Sequence, residues 1–359
     1  MTALWPALVD APTGSVCSDR QAFVLRTITG IQLAQFRPTE QLGWSWTREQ
    51  SEVSKCELVL PPEVVGSLSD ITPWLHWLDC WDDTGQTLYW SGPVVRAALT
   101  RQRLSISARD AGALMSRTRC LLEKRWDSAD PNEVGGELWA AMLAHHNIAA
   151  EPIVRPDPRG QRYDFGAVAA DGDMDVHMGR LTDLGARWTV IAGVPILGPV
   201  NLKATTALGV EHFVGDAVEV VRDGAAFCND VLLRAAGAQA YGRVQAGGLQ
   251  LQRTVTIDSI DGVSNADRAA QLYAQYLGRV RTEVTMPGGA VLHPKAPVGI
   301  DQLMPSARIN VDAYGLLVTT EVQQVTVTAA DGHAQVAVKL RAVDDDLPEL
   351  LTVESGKGR

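Results

Sequence analysis

A chain of 359 residues exceeds one ordinary domain and predicts two or three. Hydrophobic residues at 46% suit a globular protein. A net charge of −10 argues against an extended phosphate-reading face, which needs a surplus of Lys and Arg, and leaves room only for a local basic patch.

Residues 1–19 are rich in Pro and Ala without a clear period, and read as an arm that orders only against something else. Residues 22–36, rich in Val, Ile, Leu and Thr, read as strand, as do 42–48 and 56–60 on either side of a polar connector. Trp74, Trp77 and Trp81 also fit a helical stripe, but a turn at 70–73 leading into a strand is the favoured reading. Strands at 78–82, 87–91, 94–99 and 104–109 follow, separated by Asp83-Thr84-Gly85, Gly92-Pro93 and Thr100-Arg101-Gln102. In the last, Leu104, Ile106 and Ala108 alternate with Ser105, Ser107 and Arg109, the pattern of an antiparallel meander with one dry face.

After Arg109 the period changes. Asp130-Pro131-Asn132-Glu133 is a helix start, with Asp130 as cap, Pro131 at the first helical position and Glu133 completing a capping box. Val134, Leu138, Met142 and His145 then share a face, and Asn147 ends the helix. A second helix over 173–184 turns Met174, Met178 and Leu181 inward and stops at Gly185. A hairpin of 187–191 and 194–197 turns over Ala192-Gly193.

Strands return after His212, with a hairpin of 218–221 and 226–233 about Asp223-Gly224 and a further strand at 249–260. One helix interrupts them, capped by Ser264, with Leu272, Tyr273, Tyr276, Leu277 and Val280 as its apolar face. A second meander closes the chain, with strands at 308–311, 316–328 and 335–343. In its long strand Val318 and Val322 lie on the face opposite to Val325 and Val327, so a β-bulge near Gln323-Gln324 is required to restore one dry face.

Candidate chemistry is sparse. Asp171, Asp173 and Asp175 have the spacing of a calcium loop, but Val176 and Thr182 stand where that loop needs Gly and Glu, so a solvated helix start is the reading preferred. His145 and His146 suit the last turn of a helix and, as neighbours there, should point apart rather than share a metal. Asp82 and Asp83 belong to a turn, not to a pair of catalytic carboxyls. Trp74, Trp77, Trp81 and Trp90 fit core or subunit interface better than a sugar platform. No nucleophile elbow, zinc-protease helix, P-loop or dinucleotide fingerprint occurs, so no catalytic, cofactor or metal residue is assigned.

Cys17, Cys56, Cys80, Cys120 and Cys228 are odd in number and widely spaced, which predicts reduced thiols in a chain that folds in a cytosol. No Lys or Arg precedes Arg20, so no signal-peptide charge is expected. The apolar run at 190–200 is short and broken by Pro195 and Pro199, and cannot span a bilayer.

Two stretches carry a family resemblance. Tyr89-Trp90-Ser91-Gly92-Pro93-Val94 and the hairpin ending in Ser107-Ala108-Arg109-Asp110, with Trp44-Ser45-Trp46-Thr47-Arg48 and Cys56-Glu57-Leu58-Val59-Leu60-Pro61 upstream, resemble the first barrel of the tail-hub family of phage minor tail proteins. Leu292-His293-Pro294-Lys295-Ala296-Pro297, Leu303-Met304-Pro305-Ser306-Ala307-Arg308-Ile309-Asn310-Val311, Leu316-Leu317-Val318 and Glu321-Val322 resemble the end of the same proteins. Met304-Pro305-Ser306 departs from the pattern, in which Gly is common at that turn. Gly185-Ala186-Arg187-Trp188-Thr189-Val190 is similar to the family's helix-to-strand corner.

The resemblance implies a mixed α+β, β-rich fold with two tail-tube-like antiparallel β-barrels and an α+β insert. The expected units are an arm at 1–19, a first barrel at 20–112, an insert at 113–200, a second barrel at 201–350 containing a helix at 264–280, and a tail at 351–359. It further implies a structural, non-enzymatic protein of a siphophage tail tip, assembled in the host cytoplasm. Its copies would form a homotrimeric hub ring that continues the tail tube and takes part in host attachment and DNA delivery. Implied partners are a distal tail or tube protein, the tape measure and other tip proteins, with DNA passing through unbound. A tail-associated cell-wall hydrolase and a carbohydrate- or receptor-binding module are the alternatives. The charge adds that the channel wall should be acidic, because carboxylates repel phosphate.

Overall fold

The computed structural model describes residues 16–17, 20–64, 70–158, 160, 162–222, 224–245, 247–280, 282–330 and 333–343. Most of the arm and the whole 351–359 tail lie outside them. Twelve strands form one sheet. Its main path runs Ala207–Gly209, Arg308–Ala313, Leu316–Ala330, Gly43–Glu49, Lys55–Leu60, Leu104–Arg109, Leu88–Leu99, His76–Asp82, Gln21–Thr27 and Gln32–Phe36. His333–Ala342 pairs with Leu316–Ala330 off this path and carries Ala290–Val291.

Strands expected in two barrels therefore share a sheet, joined where Gln324, Val325 and Thr326 face Glu49, Arg48 and Thr47. Among the described residues no pairing links Gln32–Phe36 to Ala207–Gly209, and no closed barrel is seen. The reason for the fusion lies in the bulge. The register slips between Val322 and Gln324 as the alternation demands, so Val322, Val325 and Val327 are all fully buried and the strand runs on past its meander to meet Gly43–Glu49.

Local chemistry explains the other differences. Residues 22–36 form two strands, Gln21–Thr27 and Gln32–Phe36, because Gly30 takes φ +91° in the turn between them. Leu88–Leu99 is one strand where two were expected. It bends at Gly92-Pro93, pairing first with His76–Asp82 and then with Leu104–Arg109.

Among the described residues the strands of 113–200 pair only with one another: Lys124–Ala129 with Tyr163–Ala167, and Trp188–Ile191 with Val194–Leu197, which also takes Ile153–Val154 in parallel. Ala192 and Gly193 both have positive φ, as a tight hairpin turn requires. Helix α1 (Pro131–His145) is capped by Asp130, but not through a capping box. Glu133 is exposed, and the second carboxylate oxygen of Asp130 instead accepts the Asp157 N–H at 3.0 Å and pairs with Arg162 at 2.6 Å. His145 points to solvent, so the buried face of α1 is Val134, Leu138, Trp139, Met142 and Leu143. Helix α2 (Met174–Asp183) buries Met174, Met178 and Leu181 as its spacing predicts, and Gly185 stops it at φ +102°.

The hairpin about residues 223–224 does not form. Glu219–Val221 pairs with Glu283–Thr285, while Asp230–Ala236 pairs with Ala238–Arg243 and, in parallel, with Gln252–Asp261. Helix α3 (Val263–Leu277) covers that small sheet. It begins at Gly262, with Ser264 already inside it, and buries Ala266, Ala269, Ala270, Tyr273, Ala274 and Leu277 while Val280 is exposed. Close packing selects the alanines: a Cβ on Gly242 would meet the Ala270 carbonyl oxygen at 1.9 Å, so sheet and helix nearly touch. Two apolar cores result, one along the main sheet around Phe23, Trp46, Leu58, Trp90 and Val325, the other joining α1, α2 and α3.

Candidate assembly site

A buried polar joint links the main sheet to residues 113–200. Glu321 is only 2% exposed. Arg187 meets it at 3.1 Å, Arg341 at 3.9 Å, and the Gln50 amide donates to it at 2.8 Å and to Ser306 Oγ at 2.7 Å. Burial pushes the Arg341 guanidinium down, and Glu321 opposes that shift. Beside it the Ser51 N–H donates to the Trp188 carbonyl at 2.6 Å. Asp110, where the sheet passes into the next unit, accepts the Ser54 and Gly112 N–H groups at 2.7 and 2.8 Å. Its burial raises the carboxyl to about 7 despite those bonds.

Arg48 locks the sheet from inside. Its side chain donates to the carbonyls of Ile300 and Tyr89 at 3.0 and 2.9 Å and lies over the Trp46 ring at 5.0 Å. Burial lowers its pKa. Reading Trp44-Ser45-Trp46-Thr47-Arg48 only as a resembling motif missed this role. The signal was a charge in phase with Trp44 and Trp46, on the face that is buried.

The sheet's outer edge is Gln32–Phe36. Ile31, Leu33 and Leu75 are 64%, 46% and 61% exposed, and Ile28 is partly exposed, its N–H donating to the Leu75 carbonyl at 3.2 Å. These exposed apolar residues lie on or next to a strand that, among the described residues, pairs on one side only, and such an edge is a template for another chain.

The remaining candidates take these places. His145 and His146 meet edge to face with ring centroids 5.0 Å apart, contrary to expectation, because His146 is the non-helical cap residue of α1. The His146 ring bonds Thr118 Oγ1 at 2.7 Å, and burial, aided by His145, lowers its pKa. Asp173 precedes α2 and the Asp171 carbonyl bonds His177, and among the described residues no three His, Cys, Asp or Glu side chains gather as a metal site. Asp82 is slightly desolvated, but the Gln86 and Thr87 N–H groups outweigh that and hold it below the usual range, as a turn residue. Trp77 and Trp90 are buried and Trp74 and Trp81 half-buried, with Arg26 over Trp77 and Arg117 over Trp74, so the four present no common open face. All five cysteines are free thiols. No helix among the described residues is long and apolar enough to cross a membrane.

No protein-family model matches the chain, and no curated protein matches it. Solved structures do. A tail protein from Neisseria meningitidis MC58 is 11% identical, with TM-score 0.62 over 92% of this chain and 98% of that one. The 43 kDa tail protein of prophage MuSo2 from Shewanella oneidensis is 13% identical, with TM-score 0.58 over 90% and 98%. The fold is that of phage tail proteins. Prophage tail protein gp18 from Listeria monocytogenes EGD-e extends the likeness, at 8% identity and TM-score 0.54 over 93% of this chain and 98% of its own. Each of these likenesses spans at least 90% of the chain.

Proposed function

We propose that the chain is a structural protein of a phage tail tip, a hub subunit that assembles as a homotrimer with other tail proteins and admits DNA without binding it. The observation that carries this reading is the tail-protein fold over nearly the full length of the chain, on a sheet whose two end strands have no outer pairing among the described residues. The apolar edge at Gln32–Phe36 of one copy seats on a neighbour, a head-to-tail contact that closes a ring and completes the tube-like barrels. In this reading residues 20–112 and 201–350 build the ring and 113–200 stand outside it. Three copies carry about three times the net charge of −10, so an acidic channel wall is the arrangement that lets phosphate pass. Native mass measurement of the protein, alone and mixed with its tube or tip partners, tests the count. Three copies are expected, and any other number in the assembled particle overturns the ring.

A further inference from the structure

We propose that the outer edge of Gln32–Phe36 is covered, in the free chain, by that chain's own first segment, residues 1–15. The edge calls for a cover. Among the described residues Gln32–Phe36 pairs only with Gln21–Thr27. From Ile28 to Phe36 the sequence holds no charged residue and no proline, the features that ordinarily keep a strand edge from pairing with whatever it meets. Apolar surface adds to the hazard: Ile31, Leu33 and Leu75 are exposed, and Ile28 stands beside them with its N–H on the Leu75 carbonyl.

The start of the chain fits that edge in chemistry. Residues 1–9 include Leu4, Trp5, Leu8 and Val9 and no charged side chain, and Asp10 is the only one before Asp19. An acidic or basic segment would find no countercharge between Ile28 and Phe36. An apolar one removes its own surface and that of Ile31, Leu33 and Leu75 from water together, and its main chain meets the outward N–H and C=O groups of the strand.

Position and length agree with this. Val16 is 5% exposed and packs in the main core, so the chain leaves the interior there. The exit lies at the Phe36 end of the edge. Gln21 Nε2 donates to Cys17 Sγ at 3.1 Å, and Gln41 Nε2 donates to both the Gln21 and the Phe36 carbonyls, at 2.8 and 3.0 Å. From Phe36 back to Gln32 the strand is 5 residues long, ~17 Å. Residues 1–15 can span ~50 Å, so the stretch from Leu4 to Val9 reaches the Leu33 and Ile31 end, with the turn-forming residues Pro12-Thr13-Gly14-Ser15 between it and Val16. A segment tethered so near its seat has an effective concentration on the order of millimolar, well above that of the same segment on another copy. The ring contact proposed above uses this same edge, so the two covers are alternatives and this one belongs to the free chain.

Photo-crosslinking tests this on the full chain with Trp5→p-benzoylphenylalanine, diluted until native mass measurement finds single copies. Crosslinks to residues 28–36 or to Leu75 are expected, in a product of one-chain mass. Crosslinks elsewhere, none at all, or crosslinks to the edge only in two-chain products overturn the proposal, and the last result assigns the edge to another copy's segment. Hydrogen exchange gives a second reading. With Leu4→Asp and Leu8→Asp together, exchange within Gln32–Phe36 should rise ~10-fold over the wild type while that of Leu104–Arg109 stays unchanged, and a rise under ~2-fold overturns the cover. Both readings are taken on single copies, so neither depends on whether a ring forms.

Discussion

Gly92, in the Tyr89-Trp90-Ser91-Gly92-Pro93-Val94 stretch, lies against backbone. A Cβ there would stand 1.9 Å from the Arg109 carbonyl oxygen and 2.7 Å from Asp110 Cα. Ordinary contact begins at ~3.5 Å, so Gly92→Ala imposes an overlap of ~1.5 Å that no rotamer relieves. The strand Leu104–Arg109 must move away from Leu88–Leu99, opening the Val94–Ala108 pair and pulling Asp110 from Ser54. Two or three lost hydrogen bonds at ~1 kcal/mol each, with core strain of similar size, sum to about 3–5 kcal/mol of destabilisation. Urea unfolding followed by tryptophan fluorescence reads it directly, since Trp46, Trp77 and Trp90 are buried nearby. Gly43→Ala is the control: its Cβ meets nothing within 4 Å, and its cost should stay within ~0.5 kcal/mol. A Gly92→Ala protein within ~1 kcal/mol of the wild type would refute the contact.

Two further substitutions probe the joint and the edge. Glu321→Ala strands Arg187 and Arg341 in the buried joint and should destabilise by ~3–5 kcal/mol in thermal or chemical unfolding; an unchanged transition would show that the cluster does not hold the units together. Leu33→Asp, at an exposed position, should alter stability by less than ~0.5 kcal/mol while preventing the proposed trimer, with light scattering as the readout, and a trimer that forms regardless would remove this edge from the ring contact.

Much of this architecture is written locally. Period-2 alternation in residues 104–109, Ala192-Gly193 between two apolar runs, Asp130-Pro131 before α1 and Gly185 after α2 each act within a few residues, so the elements they specify were legible without the fold. The bulge at Gln323-Gln324 belongs with them, since a phase slip in one strand can be counted.

Partner choice is different. The hairpin signal about residues 223–224 was overridden because Glu219–Val221 finds Glu283–Thr285 and Asp230–Ala236 finds two other strands, pairings set by which apolar faces can be covered together. The same holds for the single twelve-stranded sheet, which depends on Val325 meeting Arg48 across 277 residues of chain. Arg48, Asp110 and Glu321 carry no role in the sequence pattern beyond their place in resembling motifs, and Trp77 and Trp90 fit core or subunit interface alike. Burial alone assigns them to the interior, where the cost of an unpaired charge makes their partners and protonation consequential. Sequence periodicity records the face a residue presents to its own sheet. Only the packed structure decides what comes to lie against that face.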